Sequence, residues 1–247
     1  MNLDGDLDLA HRMADIADRV AMAHFPHVRT AHLKADGSPV SPADLAVQHA
    51  LFSVLSDARP ADAIVSEESP GRTGGRRRWI IDPIDGTTEF LAGLRGWGTH
   101  IALEVDGALK VAVLTRPAEG RRWWAVSGWG AYADGRRVAL SESPSLTEAR
   151  VAGLVQPGSP LPRAVSAVAN WVTGLECPIG SLLDGQLDAV LDDNGEIWDH
   201  APGALLVSEA GGVFLNAAGG TGIDVAGCLY ATRPLAPSLL ALLAATC

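Results

Sequence analysis

The stretch Trp79-Ile80-Ile81-Asp82-Pro83-Ile84-Asp85-Gly86-Thr87-Thr88-Glu89-Phe90 constrains this chain more than any other. Trp79 to Ile81 is a short aromatic and β-branched run suited to a buried strand, and Pro83 disfavours the helical region for Asp82. Asp82 is therefore expected to close the strand, with its carboxylate at a sheet edge. Asp85 is expected to cap a helix beginning Gly86-Thr87-Thr88, whose unpaired N–H groups and positive dipole end suit a phosphate. Two aspartates beside a phosphate repel one another unless cations lie between them. An all-oxygen donor set suits a hard ion such as Mg2+, so the stretch reads as a cation and phosphate site.

The rest of the chain limits what can surround that site. With 247 residues, 47% of them apolar and 19% charged, it can bury a full core as one large or two modest domains. A net charge of −10 argues against a surface that neutralises nucleic-acid backbone, but leaves small phosphorylated substrates open, because bound metal reverses the local field. Cys177, Cys228 and Cys247 have no metal-ligand spacing and read as reduced thiols of a cytoplasmic protein. There is no signal-peptide core. The longest apolar stretch, Leu235 to Cys247, is too short to span a bilayer and reads as a terminal core helix.

An amphipathic helix is expected over Leu7 to Phe25, and Ser41-Pro42 with Asp44 marks a capped second helix. Ala63 to Ser66 reads as a strand and Ser69 to Arg78 as a mobile Gly/Arg-rich loop. Strands over Thr99 to Val105 and Ala108 to Thr115 flank the hairpin signal Asp106-Gly107, and Arg121 to Val126 continues the meander. Softer composition at Ser141 to Thr147 suggests a division into residues 1–140, holding most metal ligands, and 141–247. Strands near Val151 to Val155 and Leu187 to Leu191, and helices over Pro162 to Val172 and Trp198 to Ala210, are expected beyond it, with Gly211-Gly212 ending the last. This is an α+β pattern rather than a doubly wound one.

Glu67, Asp82, Asp85 and Asp199 fall at boundaries of expected elements, where side chains reach clefts. With these acids stand Lys34 and Asp36-Gly37-Ser38-Pro39, the run Ile64-Val65-Ser66-Glu67-Glu68, the stretch from Asp82, Trp198-Asp199-His200-Ala201-Pro202-Gly203 and Glu209-Ala210-Gly211-Gly212. In that order the motifs resemble the inositol monophosphatase superfamily, Mg2+-dependent and typically lithium-sensitive phosphatases. The resemblance implies a layered αβαβα sandwich of the inositol monophosphatase and fructose-1,6-bisphosphatase type, two or three Mg2+ ions, a small phosphate ester as substrate and a homodimer. It also implies that Glu67, Asp82, the Ile84 carbonyl and Thr87 surround one ion, and that Asp82, Asp85 and Asp199 hold a second. Gly86, Thr87 and Thr88 would present amides to the phosphate, while Glu67, Thr87 and Asp85 carry the chemistry of a water attack. Lys34 and Asp44 resemble positions behind the metals, though Asp44 reads equally as a helix cap. His100 and His200 flank the site, as substrate contacts or as packed core residues.

The second half departs from the family pattern. Only Leu182, Leu183 and Asp184 separate Gly180-Ser181 from Gly185-Gln186-Leu187-Asp188, so about two helical turns of the family's pocket wall are missing. Asp192 stands where inositol phosphatases tend to carry a substrate-binding glutamate, and with Ser181 it is a candidate substrate contact. Glu89-Phe90 resembles the 3′-phosphoadenosine 5′-phosphate phosphatases, whereas Gly120-Arg121-Arg122-Trp123-Trp124-Ala125 resembles the histidinol-phosphate phosphatases. Arg72 and Arg76 to Arg78 read as a solvated loop or a grip on a second phosphate. A non-catalytic Mg2+ and polyanion-binding homologue is the alternative to an enzyme.

Overall fold

The computed structural model describes residues 3–25, 27, 30–34, 37–72, 74–140 and 145–245, so Asp36, Ser141 to Pro144 and Cys247 lie outside the described residues. The chain divides into two compact units, Met1–Ser127 and Gly128–Cys247.

The first unit runs α1 (Leu3–His24), β1 (His32–Leu33), β2 (Pro39–Val40), α2 (Pro42–Ala58), β3 (Ala63–Ser66), β4 (Ser69–Arg72), β5 (Arg77–Asp85), α3 (Thr87–Ala92), β6 (Gly98–Val105), β7 (Ala108–Arg116) and β8 (Arg121–Val126). Six strands lie in the order β8-β7-β6-β5-β3-β4, antiparallel except for the parallel pair β3 and β5. α1 buries Leu9, Met13, Ala17 and Ala21 and α2 buries Ala43, Val47, Leu51 and Leu55, in each case about one helical turn apart. These faces share a core with Trp79, Ile81, Ile101 and Val113 of the sheet.

Ser41 caps α2 through a capping box with Asp44, and Asp106 and Gly107 turn the β6–β7 hairpin with positive φ, both as expected. Two expectations fail. Ser69 to Arg78 is loop only at its middle, Gly74 to Arg76: β4 pairs with β3, Arg77 and Arg78 open β5, and a Cβ on Gly71 would fall 2.2 Å from the Ile64 carbonyl oxygen, so glycine lets this edge strand close. Its arginines hold structure. Arg77 bonds Asp6 and Asp62, Arg78 bonds Glu104, Arg76 bonds Asp106, and Arg72 donates to the Arg59 and Pro60 carbonyls. Nor does Asp82 end its strand. β5 continues to Asp85, because Pro83, which has no N–H to donate, coincides with a register slip against β6.

The second unit contains a hairpin, β9 (Gly130–Ala133) and β10 (Arg136–Val138), then β11 (Arg150–Leu154), α4 (Leu161–Ser166), β12 (Asn170–Trp171), α5 (Pro178–Leu183), β13 (Ala189–Asp192), α6 (Ile197–Glu209), β14 (Val213–Asn216), β15 (Cys228–Ala231) and α7 (Ala236–Ala244). Its sheet has the order β12-β11-β13-β15-β14, parallel at β12-β11-β13 and antiparallel beyond. The division falls before the hairpin rather than at 140/141: the Glu209 carboxylate accepts from the amides of Gly128 and Gly130, and Leu140 N–H donates to Ala210 O. The helix expected to reach Val172 stops at Ser166, since Asn170 and Trp171 pair with Arg150 and Val151. Among the described residues no helix is long and apolar enough to cross a membrane.

Candidate metal and phosphate site

In the first unit the site forms where β3, β5 and β7 end and β6 begins. Ser66 is paired with Ile81, and Glu67, whose amide donates to Ile81 O, lies one residue further, level with Asp82. On the other side Asp82 faces His100 and Asp85 faces Gly98. Residue sums rise by one across the slip (82 + 100 against 85 + 98), so β5 has one extra residue there. Asp82, Asp85 and His100 consequently bring ligand atoms within 4.8 Å of one another. Asp82 is buried, and two carboxylates this close repel unless a cation lies with them. The two carboxylates offer the oxygen donors that Mg2+ takes, with His100 beside them.

Asp85 is not a helix cap. Its backbone belongs to the strand, and the N-cap of α3 is Gly86, at φ +83°, a left-handed conformation that glycine adopts without strain. Phe90 anchors α3, with its ring 4.8 Å edge-on from Trp97 and 5.4 Å from Phe25. This fixes the first turn, Thr87 and Thr88, at the end of β5. The Thr87 hydroxyl lies 3.1 Å from Asp44 Oδ1 and 3.2 Å from Ile84 O. Asp44 Oδ2 meanwhile accepts from Ser41 N–H at 2.7 Å, so one buried carboxylate both caps α2 and holds Thr87. Lys34 Nζ reaches Glu67 at 2.5 Å and Glu68 at 3.0 Å. Burial pushes the Glu68 carboxyl up to about 7 against the pull of Lys34. For Lys34 itself, burial opposes the charge and the two glutamates outweigh it, raising its pKa.

Sequence reasoning missed Arg116. This buried guanidinium, 4% exposed, donates to Asp85 Oδ2 at 2.7 Å, and His100 Nε2 lies 3.4 Å from the same oxygen. Burial pushes Asp85 up, but the charges of His100 and Arg116 outweigh it and hold the carboxyl below its usual range. The available signal was a cation at the end of a strand, in Thr115-Arg116-Pro117.

In the second unit Asp199 is the third residue of α6, and its Oδ2 accepts from Glu196 N–H at 2.7 Å in a capping box. His200 is fully buried, with Nε2 3.6 Å from Asp192 Oδ2, and Cys228 joins the pair in a buried cluster. Asp192 Oδ1 accepts from Asn194 and Gly195 N–H, so this carboxylate also closes its own turn. Ser181 lies in α5, its amide bonded to Cys177 O. Cys177 and Cys228 are unbridged.

The inositol monophosphatase family model matches residues 3–246. The chain belongs to the inositol monophosphatase family. Its members are metal-dependent phosphoric monoester hydrolases acting on small phosphate esters, and this chain is one of them. A Streptomyces griseus relative, named a glucose-1-phosphate thymidylyltransferase, is 49% identical, covering 97% of this chain and 96% of that one. The histidinol-phosphatase of Streptomyces coelicolor is 35% identical over 89% and 87% of the two chains. The solved structure of the extragenic suppressor protein suhB from Bartonella henselae matches with a TM-score of 0.88 at 28% identity, over 97% and 98%. The fold is accordingly the layered α+β sandwich that the motifs implied.

Proposed function

We propose that the chain is a Mg2+-dependent phosphomonoesterase of a small phosphorylated metabolite, with Glu67, Asp82, the Ile84 carbonyl and Thr87 holding one ion and Asp82, Asp85 and Asp199 a second. What supports this is the approach of Asp82 and Asp85 to within 4.8 Å at the strand end that also carries the Ile84 carbonyl and the Thr87 hydroxyl. Asp199 enters through family membership and its motif. Bound there, Mg2+ supplies Lewis acidity toward phosphate oxygens and lowers the pKa of a coordinated water. The residues supply the rest. Thr87 Oγ1 takes up a hydrogen bond from the attacking water while Asp44 Oδ1 accepts the hydroxyl's own proton. Glu67, held by Lys34, orients that water, and the amides of Gly86, Thr87 and Thr88 meet the phosphate oxygens.

Histidinol phosphate is the substrate this reading favours, because three relatives at 32 to 36% identity are named histidinol-phosphatases. The Arg121-Arg122-Trp123 run, which resembles that branch, packs locally: Arg121 stacks over Trp123 at 4.7 Å, and Arg122 bonds Asp15 and Asp18 of α1. The test is phosphate release from histidinol phosphate, inositol phosphates, glucose 1-phosphate and 3′-phosphoadenosine 5′-phosphate, in Mg2+ and in chelator. Hydrolysis of histidinol phosphate in Mg2+ alone is expected, and none of any ester would leave a polyanion-binding homologue. Asp85→Asn should abolish release in protein that thermal melts show to be folded, although it costs stability by leaving the buried Arg116 without its carboxylate partner; near wild-type turnover would sink the ligand assignment.

A further inference from the structure

The arginine beside Asp85 is built into the sheet. The β6–β7 pairing of His100 with Leu114, continued in step, sets Arg116 level with Gly98, and Gly98 in turn is paired with Asp85. Asp85, Gly98 and Arg116 thus form a row across three strands whose middle member has no side chain. A Cβ on Gly98 would fall 1.7 Å from Thr115 O and 2.6 Å from Arg116 Nη1, so glycine there is what lets the guanidinium cross β6. Nη1 is tied back to Thr115 O at 3.1 Å, and Nη2 reaches Asp85 Oδ2 at 2.7 Å. A long flexible side chain is in this way held, buried, against one carboxylate oxygen. Such a pair is difficult to separate without leaving a buried charge uncompensated.

We propose that Arg116 is an internal counter-cation for Asp85 that competes with the divalent ion for this carboxylate and so sets the Mg2+ concentration at which the Asp85-dependent position fills. The inference rests on reading Asp85 as a metal ligand. Guanidinium and metal ion carry like charge and share one carboxylate, so each weakens the hold of the other at close range. A purely orienting partner has the opposite effect: losing a hydrogen bond behind a metal ligand usually weakens metal binding, by about 10- to 100-fold.

The sign of the effect therefore decides. Mn2+ binding to the full-length protein is followed by electron paramagnetic resonance and calorimetry, and Asp85→Asn identifies the binding event that depends on Asp85. Arg116→Met, close in length and uncharged, should tighten that event on the order of 10-fold. Arg116→Lys, which keeps the charge, should stay near wild type. Thermal melts without metal establish that each variant folds, and Arg116→Gln takes the place of Arg116→Met if the latter does not. Unchanged or weaker binding in the neutral variant overturns the proposal, as does equal tightening in Arg116→Lys. If Asp85→Asn removes no binding event, the metal assignment itself fails and Arg116 has nothing to compete for, a result distinct from either.

Discussion

The two oxygens of Asp44 serve different neighbours: Oδ2 completes the cap of α2, and Oδ1 holds the hydroxyl of Thr87. Stability and chemistry meet in this carboxylate and separate again in its partners. Ser41→Ala should cost about 1 kcal/mol of stability and leave kcat unchanged, as read by urea unfolding and phosphate release. Thr87→Ala should do the converse, lowering kcat on the order of 100-fold or more at nearly unchanged stability. The sequence offered Asp44 as either a cap or a residue behind the metals; the cap is seen directly, and the second acceptor atom is left to hold Thr87, a proposed metal neighbour. Arg116 was harder to find. Its meaning depends on Gly98 and Asp85, each on another strand, and no local spacing joins the three.

Elements defined by local chemistry were legible. The Ser41-Pro42-Asp44 cap, the Asp106-Gly107 turn and the aromatic and apolar run Trp123 to Val126 of β8 each carry their signal within a few residues. Elements defined by a distant partner were not. Asp85 reads as a helix cap until β6 pairs with it, Ser69-Pro70-Gly71-Arg72 reads as a turn until β3 does, and Asn170-Trp171 reads as helix until β11 does. α3 shows the same dependence energetically. At six residues it is too short to persist alone, and the buried Phe90 ring packed on Trp97 and Phe25 is what fixes it. Phe90→Ala should cost about 3–5 kcal/mol in chemical denaturation. Because α3 carries Thr87 and Thr88, it should also weaken product inhibition by inorganic phosphate in the variant that remains folded.

At the scale of the molecule, the acids proposed to meet at the site contribute to a chain of net charge −10, so the folded state should gain from divalent ions. Mg2+ at about 100 times its dissociation constant should add about 2.7 kcal/mol, seen as a rise in Tm that chelator reverses together with activity. A Tm indifferent to Mg2+ would contradict the proposed ion positions. Family and fold could be read from ordered motifs spread along the chain, whereas substrate choice could not, because the family pattern is interrupted around Ser181 and Asp192, the residues proposed to contact substrate. The slip in β5 has a further meaning. In a regular pleat, positions three apart point to opposite faces, so the single extra residue acts as a phase shift that turns Asp82 and Asp85 the same way. A chain lacking Pro83 would zip β5 onto β6 in one unbroken register and set its two aspartates two positions apart, again on one face; the slip is what lets them share that face with two residues between them, Ile84 and its carbonyl among them.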